Sequence, residues 1–146
     1  MIAQNSSKDL EGLLVVTVEQ AVAAPYTSCR LADAGARVIK VERPEGDFAR
    51  NYDSNALGNS AYFVWLNRGK ESIALDLKNK EDMAIFENII SKSDILIQNL
   101  APGAFERLGL DLKELRLKYP SLITCSISGF GDEGPYKNQK AYDMLI

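Results

Sequence analysis

The sequence predicts an α/β fold of the Rossmann-like kind, with an open, mainly parallel sheet flanked by helices. Short apolar runs rich in β-branched residues, of which residues 13–18 are the first, are typical of strands buried on both faces. Segments with helical spacing follow these runs, and the first connection is short enough for one right-handed crossover. The 146 residues are sufficient for one domain with a substantial core.

The first strand, turn and helix organise this prediction. Pro25 suits the first turn of a helix, because its missing N–H needs no partner there. We expect the helix to end at Ala34, with Gly35 following it because glycine reaches a positive φ without steric cost. A second strand is expected at residues 38–41. Free N–H groups and the helix dipole would then attract a phosphate or carboxylate to the turn before Pro25, although this turn lacks the G-x-G-x-x-G spacing of a dinucleotide site. The plain alternative is a first βαβ unit with no ligand.

Residues 44–70 break the alternation, because glycine, asparagine and aspartate dominate their first half. We expect a long loop with one helical turn, and loops of this length in compact domains are usually functional or disordered. Tyr62, Phe63 and Trp65 indicate that the second half is packed. They predict either a small hydrophobic cluster under the loop or one wall of a ligand site.

The rest of the chain returns to alternating strands and helices. Asn79 is an N-cap candidate for the helix after a strand at residues 72–77. Met83, Phe86 and Ile90 recur at helical spacing and are interpreted as core. The later elements are expected in this order: a strand at 95–97, a turn at 99–104, a short helix at 105–108, a helix with N-cap Asp111, a strand at 121–128, a glycine-rich loop at 129–135 and the start of a helix at 137–146.

Three strand-to-helix turns share one design, an apolar strand followed by small or polar residues. In an open parallel sheet such turns gather at the carboxyl edge of the strands, where ligands bind. We therefore expect residues 20–24, Arg43, residues 99–104 and residues 129–134 to lie on one side of the domain.

Composition narrows the classes of function. The net charge of −3 gives no reason to expect nucleic acid as a partner, and no apolar run approaches the ~20 residues of a membrane span. Residues 1–9 are interpreted as a polar leader without the apolar core of a signal peptide. Cys29 and Cys125 then indicate buried, reduced thiols in a cytoplasmic protein. The lack of histidine and of paired cysteines argues against a metal site and excludes histidine-based catalysis within this chain.

Several long motifs occur in an order that resembles one enzyme family. They are L-E-G-L-L-V-V at residues 10–16, A-V-A-A-P at 21–25, L-A-D-A-G-A-R-V-I-K-V-E-R-P-E-G-D at 31–47, N-R-G-K-E-S-I-A-L-D-L at 67–77, D-I-L-I-Q-N at 94–99, P-G at 102–103, R-L-G at 107–109, S-I-S-G-F-G-D-E-G-P-Y at 126–136 and A-Y-D at 141–143. Together they resemble the family III CoA-transferases. That family includes formyl-CoA transferase, the carnitine- and bile-acid-related CoA-transferases and α-methylacyl-CoA racemase.

The resemblance implies a site for coenzyme A or acyl-CoA as substrate. Ten residues match ligand-binding positions of the family: Gln20, Ala21, Val22, Ala23, Arg43, Leu75, Asn99, Arg107, Lys140 and Tyr142. The first four would contact the thioester end, Arg43 the adenosine and Leu75 the nucleotide pocket. The other four would approach the phosphates or the pantetheine arm. Taken singly, each basic residue is more simply explained as a solvated surface charge, and only their joint placement favours a site. Asn99 has the alternative explanation of a helix N-cap, which is compatible with ligand binding.

The resemblance also implies the reaction. Family members move CoA between carboxylic acids through an acyl-aspartyl anhydride and an aspartyl-CoA thioester. The matching aspartate would lie beyond Ile146, so no catalytic residue is expected in this chain. Residues 10–146 would be the N-terminal portion of the large CoA-binding domain, incomplete at the C-terminus and inactive alone. The full-length protein would be an interlocked homodimer.

Two departures and two alternatives accompany this interpretation. Ala24 stands where family members often have glycine, and Val22 stands where some have a polar residue. An acyl-CoA racemase of the same superfamily is one alternative, but racemases commonly use a histidine near the position of Tyr142, which favours the transferase. The other alternative is a non-catalytic CoA-binding fragment.

Overall fold

A computed structural model describes residues 8–139 and residue 141. Its strands are β1 (Leu14–Val18), β2 (Arg37–Glu42), β3 (Lys70–Ala74), β4 (Ile95–Gln98) and β5 (Ile123–Ser126). Its α-helices are α1 (Ala23–Asp33), α2 (Ala61–Asn67), α3 (Lys80–Ile90), α4 (Ala104–Arg107) and α5 (Leu112–Lys118), and a 3₁₀ helix covers Phe48–Asn51. Within the described ranges, no helix is long and apolar enough to cross a membrane.

The five strands form one open sheet in the order β3-β2-β1-β4-β5, and every neighbouring pair is parallel. In the central strand, Val16 is paired with Ile39 of β2 on one side and Leu96 of β4 on the other. The chain leaves β1 toward β2 and β3, and then crosses to β4 and β5 on the far side. This reversal confirms the predicted Rossmann-like α/β sheet and creates a switch point between β1 and β4.

Successive residues of β1 face opposite sides of the sheet, so each side has its own core. Val16 and Val18 belong to the larger core, with Phe86 and Ile90 of α3. Val15 belongs to the smaller one, with Ala24 of α1. Phe86 and Ile90 are fully buried and Met83 packs beside them, which confirms the predicted apolar face of α3.

Local signals position most helix ends. Asn79 caps α3 by accepting hydrogen bonds from the N–H groups of Glu81 and Asp82, and Asp111 caps α5 in the same way. Gly35 has a φ of +107°, as expected after the end of α1. Helix α1 begins two residues before Pro25, at Ala23, and its N-cap Val22 forms no side-chain hydrogen bond.

The predicted long loop at residues 44–70 is wrong in its second half, where α2 forms. Ser60 caps this helix by accepting a hydrogen bond from the N–H of Phe63. Aromatic and β-branched residues have only modest helix propensity, so the segment carries no strong helical signal. Tyr62 and Trp65 pack against each other with ring centroids 6.0 Å apart, but each is 49% exposed, so the predicted cluster forms at the surface and not beneath the loop.

Smaller differences concern strand ends and the last residues. Strand β3 begins at Lys70 and ends at Ala74, two to three residues earlier than predicted, and β5 is shorter than predicted. The predicted start of a helix at 137–146 falls mostly on residue 140 and residues 142–146, which lie outside the described residues.

Candidate functional site

A cavity of about 160 Å³ opens at the carboxyl edge of β1, β2 and β3. Its lining consists of strand ends and the segments that follow them: Val18, Glu19, Gln20, Val41, Glu42, Arg43, Gly46, Asp47, Leu75, Asp76, Leu77, Lys78, Leu100 and Leu108. Pockets that enclose drug-sized ligands measure roughly 300–1,000 Å³. The cavity can therefore enclose one part of a nucleotide-sized ligand, with the remainder lying over the sheet edge.

The turn between β1 and α1 has an unusual backbone. Ala21 has a φ of +63°, in the left-handed region that residues other than glycine rarely adopt. The backbone of Gln20 is fixed from both sides by one side chain, because its N–H donates to Asn99 Oδ1 at 2.8 Å and its carbonyl accepts from Asn99 Nδ2 at 2.9 Å. The N–H of Ala21 donates to Asp47 Oδ1 at 3.2 Å.

Four charged side chains lie buried beneath this turn. Lys40 Nζ contacts Asp47 Oδ2 at 2.7 Å and lies 3.9 Å from Glu19 Oε1, while Lys70 Nζ contacts the same Glu19 oxygen at 2.7 Å. Each of these side chains is at most 2% exposed. Burial lowers the pKa of Lys70 from its ordinary value, against the opposing effect of the Glu19 carboxylate. Two cations and two anions balance the charge of this cluster.

Glu42 organises the loop after β2. Its carboxylate accepts hydrogen bonds from Arg50, from Ser72 and from the backbone N–H of Asp47. Burial alone would raise the pKa of Glu42, but these hydrogen bonds and the Arg50 charge lower it to about 2. The Arg50 guanidinium lies 3.9 Å from the centroid of the Phe63 ring, which fixes α2 against this loop.

The structure brings together some of the ten predicted ligand residues. Gln20, Arg43 and Leu75 line the cavity, and Arg43 Nε donates to the Gly46 carbonyl at 3.1 Å. Ala21, Val22 and Ala23 form the adjoining turn and the start of α1, although they are not among the lining residues.

The other four predicted residues have different positions. Asn99 lies behind Gln20, and the alternative interpretation of Asn99 as the N-cap of the next helix is wrong, because Gly103 has that position. Arg107 is exposed and contacts the Pro102 carbonyl at 3.4 Å, apart from the cavity lining. Lys140 and Tyr142 lie outside the described residues. Ligand contact by all ten residues stays a prediction.

The four segments predicted to share one side of the domain do so. Residues 20–24, Arg43, residues 99–104 and residues 129–134 follow β1, β2, β4 and β5 respectively. Because all strands are parallel, these turns leave the sheet at the same carboxyl edge. Asp47, in the loop that begins at Arg43, accepts a hydrogen bond from the N–H of Ala21 and so links the segments that follow β1 and β2.

Sequence reasoning missed the buried charges and one cationic residue of the cavity lining. Lys40 interrupts the apolar run Val38-Ile39-Lys40-Val41 at the core of a strand, which is a signal for a buried, paired charge. Lys78, which follows β3, lines the cavity together with Arg43. Asp47 is the last residue of the motif at residues 31–47, but the motif does not indicate its contacts, because these depend on the path of the loop that carries it.

Comparison with known proteins identifies the family. The family model described as CoA-transferase family III matches residues 10–146. The chain belongs to CoA-transferase family III. This assignment confirms the resemblance carried by the sequence motifs.

Relatives in family III share sequence over nearly all of this chain. It is 43% identical over 137 residues to the acetyl-CoA:oxalate CoA-transferase of Acetobacter aceti, covering 93% of this chain and 35% of the relative. It is 38% identical over 151 residues to the succinate–glutarate CoA-transferase of Agrobacterium fabrum, covering 97% of this chain and 38% of the relative. This chain thus spans between a third and two fifths of these family III relatives.

A solved structure in the same family has the same fold. A CAIB/BAIF family protein from Brucella suis superposes with a TM-score of 0.87 at 38% sequence identity. The match covers 94% of this chain and 38% of the Brucella protein. The parallel sheet described above is therefore the family III sheet.

Proposed function

We propose that this chain supplies the CoA-binding sheet edge of an enzyme that moves CoA between carboxylic acids. The observation that carries the proposal is the convergence of Gln20, Arg43 and Leu75 on one cavity at the carboxyl ends of three parallel strands. These positions come from three separate parts of the sequence, and the resemblance implies contact with CoA for each, Arg43 and Leu75 at the nucleotide end and Gln20 toward the thioester. Membership of CoA-transferase family III supports the same substrate class.

The chemistry of the cavity fits one end of CoA. Leu75 and Leu77 provide apolar surface for a base, while Arg43 and Lys78 provide two cations for the phosphate groups carried at the adenosine end. Asp76 also lines the cavity and offers acceptors for ribose hydroxyls. The turn at Gln20 lies on the β1 side of the same cavity, so a ligand bound across the edge would extend its other end toward this turn.

We infer that the reaction uses an aspartate nucleophile outside residues 1–146. Its carboxylate would attack the acyl-CoA carbonyl and expel the CoA thiolate, leaving an acyl-aspartyl anhydride. The thiolate would then attack the aspartyl carbonyl, release the first carboxylate and form an aspartyl-CoA thioester. The acceptor acid would reverse these steps. The interlocked homodimer and the cytoplasmic location also stay predictions.

Calorimetric titration of this chain with CoA tests the binding part of the proposal. The matched variants are Arg43→Ala and Arg37→Ala, because the two arginines flank the same strand and only Arg43 lines the cavity. Arg43→Ala should weaken CoA binding about tenfold, the value of one charge-assisted contact to phosphate, while Arg37→Ala should leave it unchanged. Equal effects of both substitutions, or no binding by the unaltered chain, would contradict the proposed site.

An acyl-exchange assay tests the position of the nucleophile. This chain should bind CoA without exchanging label between an acyl-CoA and a free carboxylic acid. Turnover by residues 1–146 alone would refute the external nucleophile. An acyl-CoA racemase remains the alternative enzyme. Exchange of the α-proton of an acyl-CoA for solvent deuterium, catalysed by a protein that includes the nucleophile, would favour racemisation over transfer.

A further inference from the structure

We propose that Asp47 is a positioning residue of the CoA site, which fixes the left-handed turn at Ala21 through a hydrogen bond and is itself fixed by Lys40. This inference rests on the proposed function, because the turn whose conformation Asp47 would determine is the turn at which CoA would bind. Asp47 matches none of the ten ligand positions implied by the family resemblance.

The turn needs an external constraint. An alanine in the left-handed region costs roughly 1–2 kcal/mol relative to ordinary backbone, because its Cβ crowds the following carbonyl. Such a conformation persists only where the surroundings over-determine it. Ala21 lies between Gln20, which lines the cavity, and Val22, the N-cap of α1. Its φ therefore decides how the end of β1 is joined to the start of the helix.

Asp47 provides the constraint from the loop that follows the neighbouring strand β2. Its Oδ1 accepts the N–H of Ala21 at 3.2 Å and the N–H of Ala49 at 3.0 Å. The same carboxylate thus joins the turn after β1 to the 3₁₀ helix after β2. The Asp47 side chain is 1% exposed, so water cannot replace it as an acceptor without rearrangement of the loop.

Lys40 fixes the orientation of this carboxylate. Its ammonium donates to Asp47 Oδ2 at 2.7 Å and to Asn67 Oδ1 at 2.9 Å, and its side chain is also 1% exposed. With Oδ2 engaged, Oδ1 is the oxygen directed to the turn. The Lys40 ammonium balances the charge of the buried Asp47 carboxylate, but the acceptor atom is what holds Ala21.

Two double variants separate the acceptor from the charge. Lys40→Met/Asp47→Asn removes both charges and retains an amide oxygen for the Ala21 N–H. Lys40→Met/Asp47→Ala removes both charges and also the acceptor. With CoA as the titrant, the first should bind within about threefold of the unaltered chain, and the second should bind about tenfold more weakly, the equivalent of one lost hydrogen bond. Equal losses in both would overturn the proposal.

A rescue experiment excludes a merely structural role in the 3₁₀ helix. Glycine adopts a positive φ without penalty. Adding Ala21→Gly to Lys40→Met/Asp47→Ala should therefore raise the CoA affinity of that variant at least about threefold. Ala21→Gly in the otherwise unaltered chain is the reference for this gain, because Ala21 itself adjoins the cavity. If Asp47 served only Ala49, Ala21→Gly would restore nothing, and that result would refute the inference.

Amide hydrogen exchange distinguishes failure of this inference from failure of the proposed function. The Ala21 N–H should be protected in the unaltered chain and in Lys40→Met/Asp47→Asn, and should exchange at least about tenfold faster in Lys40→Met/Asp47→Ala. Lack of CoA binding by the unaltered chain would reject the proposed function and, with it, the role in that site. Unchanged Ala21 exchange in all variants would reject the role of Asp47 even where CoA binds.

Discussion

Glu19 and Lys70 form a buried ion pair between the end of β1 and the start of β3, with 2.7 Å between Glu19 Oε1 and Lys70 Nζ. The two residues are 51 positions apart in the sequence, and β2 lies between their strands. Ser28 Oγ donates to the same carboxylate, and the Lys70 ammonium also donates to the Pro25 carbonyl. The pair therefore fixes α1 as well as two strands.

We expect Lys70→Met to lower the free energy of unfolding by about 3–5 kcal/mol, because it leaves the Glu19 charge buried with only a neighbouring cation 3.9 Å away. Urea denaturation measures this loss. The matched control is the exposed pair of Arg37 and Glu71 on neighbouring strands, for which Arg37→Met should cost less than about 1 kcal/mol. Similar costs for the two substitutions would contradict the assigned difference in burial.

Asn99 holds the Gln20 backbone with both its oxygen and its nitrogen. Asn99→Ala should therefore destabilise the chain by about 1–3 kcal/mol, because a partly buried N–H and carbonyl both lose their partner. It should also weaken CoA binding if the Gln20 turn contacts the ligand. Asn88→Ala, at an exposed position in α3, is the control; it should leave the CoA affinity unchanged and should not lower the urea midpoint, because alanine has the better helix propensity. An Asn99→Ala chain of unaltered stability would contradict the paired hydrogen bonds.

Glu42 should make the stability of the fold acid-sensitive. Its pKa is about 2 in the folded chain against 4.5 ordinarily, so the unfolded chain takes up the proton first as pH falls. The stabilisation is present above about pH 4.5 and is lost toward pH 2, with a slope of up to about 1.4 kcal/mol per pH unit for one proton.

Urea denaturation between pH 5 and pH 2 measures the acid sensitivity assigned to Glu42. Glu42→Gln should be less stable than the unaltered chain at pH 7 and should show a shallower decline on acidification. Glu71→Gln is the control, because Glu71 is exposed and its pKa is lowered only by its surface partner Arg37. An identical pH profile for Glu42→Gln and the unaltered chain would contradict the role of the Glu42 carboxylate.

The sheet and its edge could be predicted because their signals are local. Runs such as Val15–Val18 specify buried strands, and the side-chain caps Asn79 and Asp111 mark two helix starts with single residues. Parallel pairing then follows from the alternation of strands with helices, and it brings the turns to one edge without further information.

The cluster of four buried charges beneath the candidate site could not be predicted in the same way. Lys40 is recognisable as an anomaly in an apolar strand, but its partner Asp47 lies in a loop whose path no periodicity fixes. Helix α2 was missed for a related reason, since Ser60 caps it and tertiary contacts such as Arg50 over Phe63 hold it, while its own residues have modest helix propensity. The missing information is in each case a contact between distant segments.

The helical phase of α3 gives the most direct test of the larger core. Phe86 is fully buried against the sheet, whereas its neighbour Ile85, about 100° away around the helix, is 45% exposed. Phe86→Ala should cost about 3–5 kcal/mol, because it removes a ring from the core and leaves a cavity. Ile85→Ala should cost less than about 1 kcal/mol, because alanine has the better helix propensity and little apolar surface is lost. Urea denaturation midpoints at unchanged m-value measure both. Reversed or equal costs would mean that α3 presents a different face to the sheet.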